Sequence, residues 1–397
     1  MINQLSTHRI LSIDAFRGIT ILVMIFVNEL AGVSGIAPWM KHMPADADAM
    51  TFVDVVFPAF LFIVGMSVPF AINRRLAKGD SVMQLQQHIG WRTLGLLVLG
   101  VFMVNAEGGY NEAAMGMSVH LWSLLFFVCV LLVWAVYKLA NRTVVYVLKG
   151  IGIAGLVALA FIYRGGDDGT EYLQPRWWGI LGLIGWAYLY SCIFYQLFRG
   201  NVYGLLAMIG ACTIFYIIGH QPAVQQSAAW RWITYQSGNA AHTSIVLSGI
   251  VLSLIFFDQA TQRSVQQRFI QAGGFALILL VAGYFLRPYF KISKIYATPT
   301  WCLYSAAICC ILFAFLYWLI DRRHLSGWTN FFRPAAVNPL LTYTIPFVIY
   351  ALLELLQVKY PAFMHQGYTG MLWCVLYAVI VLGIVKGLNK AGLKLQL

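Results

Sequence analysis

The sequence is short of charge. Of 397 residues only 10% are Asp, Glu, Lys or Arg, against 60% hydrophobic and 15% aromatic. Water-soluble domains carry roughly 25% charged residues, so this chain cannot cover its own surface in water, and a soluble globular fold is excluded. Long polar insertions are missing too: apolar stretches recur from Ile19 to Lys386. One polytopic membrane unit is expected over residues 1–397, an all-α integral membrane bundle whose core is helix packed on helix. Paired cysteines are absent. Cys129, Cys192, Cys212, Cys302, Cys309, Cys310 and Cys374 all lie inside apolar runs, and no C-x-x-C occurs, so they read as small packing residues rather than redox or metal groups. There is no phosphate loop, G-x-S-x-G elbow, H-E-x-x-H site or dinucleotide glycine pattern. His120, His220, His242 and His365 lack ligand spacing, and no metal is expected.

What charge there is leans positive, with a formal net of +12. The basic residues form no Arg-rich stripe with interleaved exposed aromatics, so nucleic acid is not an expected partner. They sit in short connections between apolar segments, where Lys and Arg set orientation. A spanning helix needs about 20 apolar residues, and candidates fall near 16–34, 52–73, 91–105, 119–138, 143–163, 177–198, 201–219, 242–257, 269–287, 298–320, 336–356 and 370–388. Because 91–105 is short and 177–198 abuts 201–219, the expectation is about ten to twelve transmembrane helices. His8, Arg9 and Arg17 before Ile19–Val27 resemble the start of a signal peptide, but no convincing small-x-small site follows, so a first membrane helix is expected instead. With both termini in the cytoplasm, 18 of the 26 basic residues fall in inner connections, Arg74, Arg75, Arg92, Lys149 and Arg268 among them. The expected location is therefore an inner (cytoplasmic) membrane, multi-pass.

That orientation puts 34–50, the Glu107/Glu112 loop, the Asp167-Asp168 loop and 220–241 outside. Gly165–Trp178 and Gln221–Gly238 mix Trp and Tyr with Asp, Glu, Gln and Arg, a composition that suits sugar stacking and equally an interfacial aromatic belt. No internal repeat of the kind that marks secondary transporters stands out.

Ionisable groups in or beside membrane helices are costly, which makes each a functional candidate. Asp14 and Arg17, three apart, share a helix face at the inner mouth, where they form an ion pair or contact phosphate; alternatively Asp14 is an N-cap and Arg17 a snorkelling anchor. Val27-Asn28-Glu29 interrupts the same helix near its outer end. His42 follows in the outer loop, and a histidine there can take a proton or an acyl group if a carboxylate fixes its tautomer. Asp54, opening the next helix, is in reach of His42, or serves as a first-turn carboxylate favoured by the helix dipole.

The runs Ser12-Ile13-Asp14-Ala15-Phe16-Arg17-Gly18, Phe26-Val27-Asn28, Lys41-His42 and Asp54–Ser67 resemble the heparan-α-glucosaminide N-acetyltransferase family, which is related to uncharacterised bacterial membrane proteins grouped as DUF5009. The resemblance is dense over residues 9–70. It continues more thinly at Lys294–Trp301, similar to the family's Lys-then-aromatic helix start, and at Phe332–Tyr343, similar to its late Asn-containing helix through Asn338-Pro339-Leu340. It implies a membrane acyltransferase that takes acetyl from cytoplasmic acetyl-CoA, its donor substrate, to the amine of a glucosamine or glucosaminide on the periplasmic side. His42 stands at the family's essential histidine, Asn28 at the asparagine beside the acetyl group, and Asp54 at the carboxylate of the next helix start. Asp14, Arg17, Arg74, Arg75, Arg92, Lys294 and Asn338 are the matching or neighbouring candidates for holding the coenzyme. One departure concerns the Arg-x-x-Gly-Val-Leu-Gln-Arg segment that opens a middle helix in the family, because here the stretch is Met115-Gly116-Met117-Ser118-Val119-His120-Leu121-Trp122. Two other readings use the same residues: an amino-sugar or related solute transporter lined by Asp14, Arg17, Asn28 and Asp54, and an O-acetyltransferase of an envelope glycan. Besides acetyl-CoA and the sugar, the expected partner is the lipid bilayer; a homo-oligomer is left open.

Overall fold

The computed structural model describes Leu5 and residues 10–397; His8 and Arg9 lie outside the described residues. Among the described residues twelve apolar helices make up the bundle, and they follow one another as α1 (Leu11–Leu30), α2 (Phe52–Ala77), α3 (Val82–Ala106), α4 (Val119–Trp134), α5 (Arg142–Ile162), α6 (Gly179–Leu197), α7 (Val202–Gly219), α8 (Ser237–Phe257), α9 (Val265–Leu286), α10 (Pro299–Tyr317), α11 (Pro339–Leu355) and α12 (Gly367–Lys390). Ten are long and apolar enough to cross a membrane, whereas α4 and α11 are shorter. The described residues contain isolated β-bridges but no strand. In hydrocarbon every backbone polar group must be satisfied within the segment, so a chain of this composition has the helix as its solution for spanning.

The sequence writes the helix starts in short polar side chains. Thr51, Ser81 and Ser264 each form a reciprocal capping box, and Ser118, Asn141, Asn201 and Thr298 cap α4, α5, α7 and α10. Caps satisfy the first N–H groups, which let helices begin in polar sequence well before the apolar run. This explains a correction at α3, which starts at Val82 rather than near 91. Arg92 is therefore inside a helix and not in a connection; Lys149 and Arg268 likewise lie within α5 and α9. α8 begins at Ser237, five residues before its apolar stretch. The closely spaced pair 177–198 and 201–219 is two helices, α6 and α7, turned by Arg199 and Gly200, both at positive φ.

α8 is the axis of the bundle, with nearly every residue from Ala241 to Phe257 buried. Its backbone is pressed against α2: a Cβ on Gly65 would strike the Val246 carbonyl, one on Gly249 would strike the Phe62 carbonyl, and Ser253 Oγ donates to Met66 O at 3.1 Å. Small residues let membrane helices approach where no hydrophobic effect drives them together. α3 and α6 meet the same way, with Gly100 against Gly182. At the periphery α5 turns Val147, Ile151, Ile153, Val157 and Phe161 outward; such a stripe belongs against lipid.

Contacts sort the connections onto two ends. At one end the Ser34 loop bridges Gln366, Tyr110 bridges Gly165, and Asp48 binds Ile292. At the other, Ser12 binds Asp321, Ala135 bridges Leu395, and Asn338 binds Asn389. They are called below the His42 end and the Asp14 end.

Candidate active site

The His42 end is assembled by the start of α2. Thr51 is the N-cap: its hydroxyl accepts from Val53 N at 3.2 Å and donates to Lys41 O at 2.9 Å. Asp54, at the third helical position, returns the capping bond, its Oδ2 accepting from Thr51 N at 3.0 Å and from Met43 N at 3.3 Å. Its other oxygen meets His42 Nδ1 at 2.7 Å. Asp54 thus serves at once as a first-turn carboxylate and as the partner of His42. Only 2% of the Asp54 side chain is exposed, against 36% of His42. An ionised carboxylate only accepts, so in this pairing Nδ1 carries a proton, and in the neutral ring the lone pair is then on Nε2.

Lys294 arrives from the connection between α9 and α10. Its Nζ lies 3.0 Å from His42 Nε2 and 3.2 Å from Nδ1. Burial holds the Lys294 ammonium below the usual lysine range, with the charge of Asp54 opposing the shift. The loop that presents it is tightly knit: Ser293 N donates to Thr298 Oγ1 at 3.0 Å, Tyr296 N to Ser293 Oγ at 3.3 Å, and Ala297 takes a left-handed φ of 49°. Behind the triad, Trp301 Nε1 donates to the Asp54 backbone carbonyl at 3.1 Å. His242 of α8 lies edge-on to both Trp301 and Phe57, with its buried Nδ1 unpartnered.

A second carboxylate fastens the two loops. Asp48, itself at a left-handed φ of 46°, accepts from Ile292 N at 2.9 Å and from Arg287 Nε at 3.2 Å. The Ile292 amide first, and Arg287 and Lys291 after it, hold the Asp48 carboxyl below the ordinary range. This latch carries no sequence motif, and neither does the approach of Lys294 to His42, since the partners are 239 to 252 residues apart.

The remaining candidates are spread out. Asn28 is exposed near the end of α1, and among the described residues it has no hydrogen bond to the triad; its neighbour Glu29 accepts from Trp373 Nε1 at 3.2 Å. At the Asp14 end, Ile10 and not Asp14 is the N-cap of α1. Arg17 pairs with Asp14 Oδ1 at 3.1 Å and donates to Ser67 Oγ at 2.8 Å. Arg74 and Arg75 lie in the last turn of α2, where Arg75 pairs with Asp80 at 2.8 Å. Arg92 lays its guanidinium over the Tyr188 ring, 4.8 Å from the centroid. Two of the residues grouped with these as coenzyme ligands stand apart, Lys294 by its position and Asn338 by its burial. Lys294 stands at the opposite end, on His42. Asn338 is wholly buried, its amide donating to Asn389 Oδ1 at 2.9 Å and to Leu393 O at 3.1 Å while its oxygen accepts from Leu395 N. With these partners Asn338 clamps the segment from Asn389 to Leu395.

Comparison with known proteins adds a lineage to this geometry. Two curated relatives, both named heparan-alpha-glucosaminide N-acetyltransferase, are similar to part of the chain. The one from Homo sapiens is 37% identical over 97 residues and the one from Mus musculus 35% over 100, covering 24% and 25% of this chain. The matched part spans only 14% of the length of either relative. A family model described as a domain of unknown function, DUF5009, matches residues 9–243. That stretch is more than half of the chain and includes α1, α2, His42 and Asp54, and on it the chain belongs to the DUF5009 family.

Proposed function

We propose that the protein is a multi-pass membrane acetyltransferase of the bacterial inner membrane, which takes acetyl from acetyl-CoA at the Asp14 end and delivers it to the amine of a glucosamine or glucosaminide at the His42 end. The observation that carries this reading is the contact of His42 with buried Asp54 on one side and Lys294 on the other. A carboxylate that fixes the imidazole tautomer leaves Nε2 as a base or nucleophile, and a lysine ammonium beside it is a cation for the negative charge that builds on an attacked thioester. Partial identity to two N-acetyltransferases supports the same reading.

Acetyl-CoA is too highly charged to cross hydrocarbon, but its acetyl-pantetheine arm is slender. In this scheme Arg17 meets coenzyme phosphate at the inner mouth, with Arg74, Arg75 and Arg92 adding positive potential around it, and the arm threads the bundle. Basic residues in the terminal turns of the helices, Arg17, Arg74, Arg75, Arg142, Lys386 and Lys390 among them, add to those in the connections at the Asp14 end, which supports a cytoplasmic placement of that end and of both termini. Asn28 donates to the thioester carbonyl oxygen. His42 then takes a proton from the sugar ammonium, and the free amine attacks the acetyl carbon. The C–N bond forms, the C–S bond breaks, and the thiolate of coenzyme A leaves and is protonated. In the covalent variant Nε2 attacks first and the amine displaces the acetyl group from it.

The test is purified protein in lipid vesicles, labelled acetyl-CoA and a panel of free and glycosidic amino sugars. Acetylated product with one coenzyme A released per acetyl group is expected. Solute accumulation in the vesicles with no acetyl-CoA consumed would overturn the enzyme reading in favour of transport, and label on sugar oxygen alone would replace N-acetylation with O-acetylation.

A further inference from the structure

Beside the His42 triad an open groove of about 500 Å³ runs down the outside of the bundle. α9 supplies Leu280, Val281 and Tyr284, and α10 faces them with Tyr304. Its upper end is closed by Met50 and Ile292. The lining is apolar, and Val281 and Tyr284 are 45% and 68% exposed, on helices long and apolar enough to cross a membrane. The groove therefore opens into the hydrocarbon of the membrane half on the His42 side, and hydrocarbon is what fills it.

Two features set it apart from ordinary lipid-facing surface. Its upper wall is made by the two loops that build the triad: Met50 precedes Thr51, the cap of α2, and Ile292 lies two residues before Lys294. The loop that supplies Ile292 also carries Arg287, ion-paired with Asp48 at 3.2 Å, and Lys291, whose charge acts on the same carboxylate. An apolar slot, then cations, then an acid–base group is the order of parts in a lipid whose sugar is joined to its chain through phosphate.

We infer that the acetyl acceptor is a lipid-linked amino sugar, its hydrocarbon chain lying in the α9–α10 groove, its phosphate against Arg287 and Lys291, and its amine at His42. This rests on the acetyltransferase reading and narrows its substrate class. A lipid of this kind diffuses in the plane of the membrane to the α9–α10 face of the bundle, where the groove meets the loops of the triad. Its chain holds the sugar near His42, so a weakly bound headgroup has a high effective concentration there.

The probe is glucosamine joined through phosphate to a farnesyl chain bearing a photoactivatable group, in vesicles containing the full chain. Irradiation is expected to label α9 and α10 peptides around 280–284 and 304–308 at least fivefold more than the equally lipid-exposed α5; equal labelling would overturn the inference. In turnover, kcat/KM for the lipid-linked sugar should exceed that for free glucosamine 1-phosphate by more than tenfold. Val281→Trp, which fills the groove from its lipid side, should bring the ratio near one while leaving the rate on free glucosamine unchanged. A ratio near one in the wild type, or an equal loss on both acceptors in Val281→Trp, would remove the lipid-linked acceptor and leave acetyl transfer standing. Groove labelling with no acetyl transferred to any amino sugar would instead remove the acetyltransferase reading.

Discussion

The two ends of the bundle are built on different plans. At the His42 end three charged or titratable groups from two distant loops touch: His42 and Lys294 on one another, and His42 on Asp54, with Asp48 binding the loops together behind them. At the Asp14 end the cations are scattered, Arg17 on Asp14 and Ser67, Arg75 on Asp80, Arg92 over Tyr188. Under the proposed function the difference follows from what each end would have to do. Proton transfer works only across a hydrogen bond, so its groups must be in contact and held there. Holding a polyanion needs positive potential over a wide mouth, which residues on several helices supply from a distance. The acid–base end is thus expected to fail abruptly when one residue is changed, and the cationic end by degrees.

The sharpest way to break the comparison is to exchange its ends. In a background without native cysteines, a cysteine at Asp46 should react with an impermeant thiol reagent from outside intact cells and one at Thr261 should not. The opposite pattern would put the triad on the side of the coenzyme and end the transmembrane scheme. Next in size is His42→Ala. Asp54 keeps its bonds from Thr51 and Met43, so the variant should fold with a stability change within about 1 kcal/mol, bind acetyl-CoA as before, and lose acetyl transfer by about two orders of magnitude or more. Wild-type turnover in that variant would reduce His42 to loop surface.

Arg17→Ala should behave differently. Loss of one charge-assisted bond costs about 1.5–3 kcal/mol, so the affinity for acetyl-CoA should fall while KM for the sugar holds; unchanged donor affinity with reduced expression would make Arg17 a membrane anchor. The smallest effect belongs to Lys294. Burial disfavours its charged form, so it gives up its proton at a lower pH than an ordinary lysine. If the ammonium is the active form, activity should decline on the alkaline side below the usual lysine range. Lys294→Arg, which stays charged throughout, should move that limb upward with only a modest change at neutral pH. An alkaline limb unmoved by the substitution would assign it to another group.

Much of this was legible in the sequence, and the reason is locality. Apolar runs of spanning length announce helices because the membrane leaves them no other satisfied state. The bond between His42 and Asp54 is visible as a loop histidine twelve residues before a helix-opening aspartate, a separation that a short loop closes by itself. Where polar residues extend a helix the reading misses its first turns, as at α3, which begins at Val82 and not near 91, since Ser81 and Gln84 cap a segment whose hydropathy alone looks like loop. The placement of Lys294 and Asn338 was not legible. Both lie beside motifs, but what each one touches, His42 for Lys294 and Asn389 with Leu393 for Asn338, depends on helix packing.

By itself, then, the sequence determined a helical membrane protein of about ten to twelve segments with the His42 loop and the Asp14 turn on opposite ends, because hydrophobic length, caps and alternation of connections are properties of contiguous residues. Only the tertiary structure decided that Lys294 lies on His42, that Asp48 latches the loops, that Asn338 is closed into a structural clamp, and that a lipid-facing groove ends against the triad. Those contacts join residues 50 to more than 240 positions apart. They exist because the small residues of α2 and α8 let backbones meet and fix which helices stand side by side.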